Sequence, residues 1–168
     1  MLTLAFGSLG SSVVAQPATM APRELINKFV QIYNQRNFDE LDKILHVNFV
    51  RHCQATPDVK VRSLAEFKAF VKQDLTTFPD SRVDLHQLVV EGDRVAFFGT
   101  FSGTQKGPMG PYPASNKTVA VDMGGLFRID ENKIAELWIT WDNLALFSQL
   151  GINPMSPPAD GELPITKE

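Results

Sequence analysis

The chain predicts an α+β domain in which three amphipathic helices precede a mainly antiparallel sheet and a short helix closes the C-terminal end. Three observations predict it. Apolar residues recur at helical spacing as far as Leu75; from Arg82 they alternate or run in β-branched and aromatic stretches; and polar turn sequences join those stretches. A length of 168 residues, with 43% hydrophobic and 21% charged, suits one domain with a single sizeable core.

Each element has a local reason. Pro22 suits a first helical turn, and Leu25, Ile26, Phe29, Val30 and Tyr33 repeat at helical spacing to about Asn34. Asn37 with Glu40 three residues later is a capping-box variant, opening a short helix through Leu41, Ile44 and Leu45. Ser63 with Glu66 does the same for a third helix, whose stripe is Leu64, Phe67, Val71 and Leu75, and Phe78-Pro79-Asp80 ends it. Arg82 to Val90 alternates Val83, Leu85, Gln87 and Val89, a strand with two unlike faces. Glu91-Gly92-Asp93 turns the chain into a strand over Val95 to Ser102. A Gly- and Pro-rich connection, Gly103 to Asn116, leads to Val119 to Ile129, and Asp130-Glu131-Asn132 is the next turn. Lys133 to Trp141 is too β-branched and aromatic for a surface helix. Asp142 follows as an N-cap, Leu144, Phe147 and Leu150 form a helical stripe, and Gly151 stops it.

The ends read differently from the domain. Residues 1–18 carry no charged side chain, run apolar-to-small from Leu2 to Val14, and offer small residues for cleavage after Ala15 or Ala18. They read as a secretory signal, with a disordered extension on a cytoplasmic protein as the alternative; the run is too short to anchor permanently in a bilayer. Residues 152–168 read as a Pro-rich extended tail. A net charge of -3 gives no footprint for nucleic acid or an anionic membrane. The lone Cys53 excludes an intrachain disulfide, the three histidines share no ligand spacing, and no metal or cofactor is expected. Twelve Phe against 2 Tyr and 2 Trp favour an oily interior or pocket over a polar recognition surface.

Several short pieces carry a family likeness across Arg23 to Gly151. They are Phe78-Pro79-Asp80, Glu91-Gly92-Asp93-Arg94-Val95, Gly103-Thr104 with Gly107, the hairpin from Phe127-Arg128-Ile129 to Lys133-Ile134, and Trp141-Asp142-Asn143 with Gln149-Leu150-Gly151. In these the chain resembles SnoaL-like proteins, the polyketide-cyclase and predicted ester-cyclase branch of the nuclear-transport-factor-2-like superfamily. The resemblance implies a cone-shaped barrel, a strongly curved sheet wrapped around the three N-terminal helices with a pocket between. It also implies chemistry by an aspartate on the last strand with histidines nearby. This sequence has Ile139 at the aspartate position and Leu137 and Gly125 at the histidine positions, so that acid–base set is absent.

Other polar residues become the catalytic candidates. His52 could act as a base or bind a carbonyl, or be a hydrogen-bonded structural histidine. Asp122 interrupts an apolar strand and is either an acid/base or one partner in an outer-face network with Arg128 and Glu136. Asp142 is an N-cap or a catalytic carboxylate. For ligand binding the candidates are Tyr33, Arg51, Phe97, Met123, Ile139 and Trp141, with Met109 and Tyr112 on the Gly/Pro connection as a lid. Trp138 falls on the opposite strand face from Leu137, Ile139 and Trp141. The expected function is binding, with or without transformation, of a small hydrophobic carbonyl or ester compound. The alternatives are an exported non-catalytic binder and a dimerisation domain with a self-filled pocket. Apolar residues on both faces, such as Ala96 and Phe98 opposite Val95 and Phe97, predict a homodimer.

Overall fold

The computed structural model describes residues 20–153; the leader and the tail beyond residue 153 lie outside the described residues. The element order is α1 (Pro22–Gln35), a 3-10 turn (Phe38–Glu40), α2 (Leu41–Ile44), β1 (Leu45–Cys53), α3 (Leu64–Thr77), β2 (Arg82–Glu91), β3 (Arg94–Thr104), β4 (Thr118–Asp130), β5 (Lys133–Trp141) and α4 (Asn143–Leu150). The strands form one mixed sheet in the order β1-β5-β4-β3-β2, with β1 parallel to β5 and the other pairs antiparallel. The sheet is open, not a closed barrel: β1 and β2 are its free edges. α3 packs beside β1 and α1 beside β2, so helices fill the space that strand closure would have needed. Asn34 fastens α1 to the β2 edge with a two-way amide bond to the Val83 backbone, at 2.8 and 2.9 Å.

Four helices and four of the five strands fall where sequence periodicity puts them. β1 does not appear in that reading. Its residues alternate poorly, because a register shift between Leu45 and Val50 breaks the period and His46, Asn48, Arg51 and His52 dilute the apolar pattern. Leu45 consequently opens β1 rather than ending the second helix. The expected capping box at Asn37 does not form either: Glu40 turns outward to Lys43, and a 3-10 turn followed by one α-turn takes its place. At Ser63 the side chain does accept from the Glu66 amide, while Glu66 reaches the Arg62 amide at 2.6 Å.

A second departure lies in β2. A bulge between Leu85 and Gln87 shifts the parity, so Leu88 packs on the core and Val89 is 65% exposed, the reverse of strict alternation. Gly99 sits opposite that bulge, where a Cβ would lie 2.6 Å from the Asp84 carbonyl oxygen.

The inner face and the helices share one core of Leu25, Ile26, Phe29, Leu45, Phe49, Phe67, Val95, Phe127 and Ile134 among others. A smaller cluster of Phe78, Val119, Val121, Leu146 and Leu150 sits under α4, and Ile152 packs on it. On the outer face, directly paired residues make a row across all five strands: His52, Trp138, Leu126, Ala96 and Val89.

Candidate ligand cavity

Between the two clusters lies a cavity of about 390 Å³, within the size range of small-molecule sites. Eight of the 12 phenylalanines line it, from Phe29 on α1 to Phe147 on α4. Phe97 and Phe127 on adjacent strands pack at 5.1 Å, and Phe127 meets Phe29 edge-on at 5.5 Å. Seven of the expected ligand residues line the cavity: Tyr33, Arg51, Phe97, Met109, Met123, Ile139 and Trp141.

Tyr112 lies one layer out. It packs at a tilt against Phe147, ring centroids 5.7 Å apart, and it braces Met109 through paired backbone bonds of 2.9 and 3.1 Å. The connection carrying both is tied down by Gln105, which is fully buried. Its side chain donates to the Gly107 and Pro113 carbonyls and accepts from the Ser115 amide. Thr77 adds a bond to the Pro108 carbonyl at 3.0 Å.

His52, Asp122 and Asp142 all lie outside the cavity. His52 faces outward by strand alternation, stacks on Trp138 at 4.7 Å and meets Glu136 at 2.9 Å. Glu136 in turn accepts from Arg128 at 2.7 Å, and the His52 and Arg128 contacts hold its carboxyl below the usual range. Asp122 is exposed and accepts from Thr100, whose hydroxyl also meets His86. It takes no part in the Arg128–Glu136 pair. Asp142 caps α4 by accepting from the Leu144 and Ala145 amides.

The polar groups inside the cavity are different ones. Asp74, on α3, lines it and accepts from the Tyr33 hydroxyl at 3.3 Å; the same hydroxyl meets buried Ser81 at 2.9 Å. Burial pushes the Asp74 carboxyl above its ordinary value, against the opposing pull of the Tyr33 bond and of Arg51 and Arg36. Burial, then the Asp74 charge, pushes the Tyr33 phenol up as well. Arg51 enters from β1 and is 7% exposed. Its guanidinium lies 4.6 Å from the Phe70 ring centroid and 5.8 Å from that of Trp141, and donates to the Thr56 hydroxyl at 3.2 Å. Burial lowers its pKa, while Cys53 and then Asp74 oppose that shift. Trp141 is held over it by donating to Asn143, which donates to the Ala55 carbonyl at 2.7 Å.

Sequence reasoning missed Asp74 and Asn143. A signal for Asp74 existed: it lies three residues after Val71 and seven after Phe67, on the inward stripe of α3. Among the described residues no group of three or more His, Cys, Asp or Glu side chains could hold a metal ion, and no helix is long and apolar enough to cross a membrane.

Gly125 has no room for a side chain. A Cβ there would lie 2.1 Å from the Trp138 carbonyl oxygen and 2.6 Å from the Phe97 ring, which folds into the space a side chain would take.

Residues 23–150 match the family model for SnoaL-like polyketide cyclase. The structure of TsrD from Streptomyces laurentii is 32% identical, with a TM-score of 0.68 over 78% of this chain and 95% of that one. IdmH from Streptomyces antibioticus, 22% identical with a TM-score of 0.71, matches over 79% of this chain and all of that one. A SnoaL-like polyketide cyclase from Agrobacterium tumefaciens, 21% identical with a TM-score of 0.67, matches over 79% and 99%. The last two likenesses bear on the fold alone. No curated protein matches the chain significantly.

Proposed function

The chain belongs to the SnoaL-like polyketide cyclase family, and on that premise we propose that it binds a small apolar carbonyl or ester compound in the cavity and acts on it through Asp74. One observation carries this reading: an aromatic cavity whose half-buried carboxylate has its pKa raised by burial and is hydrogen-bonded by a phenol. A carboxyl titrating nearer neutral pH can remove a proton beside a carbonyl, and a neighbouring hydroxyl can donate to the enolate oxygen that forms. Tyr33 supplies that hydroxyl. The phenylalanine walls exclude water and strengthen both interactions.

The test uses 2-tetralone as an apolar ketone probe. In D2O the protein should accelerate exchange of its α-protons, and Asp74→Asn should abolish the acceleration while retaining binding by calorimetry. Acceleration that survives Asp74→Asn would reject the assignment. Binding with no exchange in the wild type would favour the non-catalytic reading, which Ile139, Leu137 and Gly125 at the family's ionisable positions support.

The outer-face row also supports a homodimer, since Val89, Phe98 and Trp138 are 65%, 46% and 36% exposed on that face. Sedimentation should show a dimer that Val89→Glu with Phe98→Glu converts to monomer; a wild-type monomer ends the idea. Export of the mature domain rests on residues 1–18 alone, and N-terminal sequencing that finds Met1 intact would end it.

A further inference from the structure

Arg51 poses a problem of charge. An arginine stays protonated in proteins, presents five N–H donors, and is almost never this buried without a partner. Among the described residues the guanidinium forms no ion pair, and its side-chain hydrogen-bond partners are the neutral Thr56 hydroxyl and Cys53. The Cys53 side chain and Asp74 interact with it electrostatically. Neither forms an ion pair with it. The ring faces of Phe70 and Trp141 hold the guanidinium plane but leave most of its N–H edge without an acceptor.

Such a cation is costly in an apolar enclosure unless something arrives to meet it. A neutral carbonyl oxygen would accept one hydrogen bond and leave the charge. A carboxylate matches the planar fork with two parallel bonds and cancels the charge as well. The surroundings fix the fork's direction: backbone pairing of Arg51 with Val61 and Leu137 sets the strand, and the Trp141–Asn143–Ala55 chain sets the ring above it.

We propose that the cavity's ligand is an apolar carboxylic acid, its carboxylate paired with Arg51 and its ring system lying among the phenylalanines. This rests on reading the cavity as a ligand site and narrows the substrate class to aromatic or polycyclic acids. In that arrangement the ligand supplies the anion the folded chain lacks, and Asp74 is free to act on a second functional group of the same molecule.

The experiment is calorimetric titration at pH 7 with two probes of like size, 2-naphthoate and neutral 2-acetylnaphthalene. Wild-type protein should bind the naphthoate at least tenfold tighter. Arg51→Met should lose about 100-fold in naphthoate affinity and leave acetylnaphthalene within threefold. Arg51→Lys, which keeps the charge and loses the fork, should fall between. If both probes bind equally to the wild type, the carboxylate assignment fails and the cavity reading stands. If neither binds, both fail. The wild-type comparison holds whether or not either variant folds.

Discussion

Arg51 and Arg128 are both strand arginines of one sheet, yet Arg51 faces the cavity with a pKa lowered by burial, whereas Arg128 faces outward with one raised by Glu136 and Asp130. Asp74 and Glu136 repeat the contrast with carboxyls, one pushed up by burial and the other held down by His52 and Arg128. On the outer face, charge is met by charge under solvent and the pairs contribute little individually. On the inner face, charge is isolated by aromatic walls, so a change of partner or proton there has a large effect. The proposed chemistry therefore belongs to the side with fewer polar groups.

Two adjacent glycines give the strongest way to break that comparison. Gly125 faces inward against the Trp138 carbonyl and the Phe97 ring, while a Cβ on Gly124 would meet nothing closer than 3.5 Å. Gly125→Ala should cost about 3 kcal/mol or more through overpacking against backbone, and Gly124→Ala less than about 1 kcal/mol. Denaturant unfolding measures both, and equal costs would mean that the inner wall yields as readily as the outer one. A histidine at position 125 would meet the same obstruction.

The carboxyls sharpen the contrast by sign. The folded pKa of Asp74 is raised, so the native state holds its proton longer than the unfolded chain does. The protein then loses stability as pH rises from the ordinary carboxylate range through the raised value. Glu136 is the reverse: its folded pKa is lowered, so its contribution is present above the ordinary range and is lost as pH falls through the folded value. Stability profiles between pH 3 and 8 should show Asp74→Asn removing the first slope and Glu136→Gln the second. Added salt should shrink the Glu136 effect more than the Asp74 effect, because the Arg128–Glu136 pair is half-buried on the outer face and still reached by solvent. Slopes of the same sign would dissolve the distinction between the faces.

The smallest effect is expected at the cavity rim. Met109 lines the cavity and Tyr112 packs behind it on Phe147, while Gln105 holds the connection independently of either. Met109→Ala with Tyr112→Ala should weaken 2-tetralone binding about tenfold and lower the melting temperature by only a few degrees. A large fall in stability with unchanged affinity would make the connection a structural strap instead.

Most of the architecture was legible because periodicity, caps and turns act locally. The β4–β5 hairpin follows from Asp130-Glu131-Asn132, where Glu131 and Asn132 adopt positive φ. The Asp142 cap and the Gly151 stop also follow from local chemistry. Where a residue's role depends on a distant partner, the sequence was mute. β1 exists because β5 lies beside it, and its own residues alternate too weakly to announce a strand. The cavity lining was largely legible, since inward parity on β5 puts Ile139 and Trp141 there. Its acid was not. Asp74 sits among polar residues in Lys-Gln-Asp-Leu, and only its spacing from Phe67 and Val71 marks it as turned inward, where it meets Tyr33.

The parallel pairing of β1 with β5 has one more consequence, for the order in which a newborn chain takes shape. His52 and Glu136 are 84 residues apart, so at about 5–20 residues per second the ribosome needs roughly 4–17 s to deliver the second after the first. Throughout that interval the guanidinium of Arg51 stays in water, and the hollow that will enclose it does not yet exist. The cavity around Arg51 is thus completed late, when the last strand emerges and docks along the first.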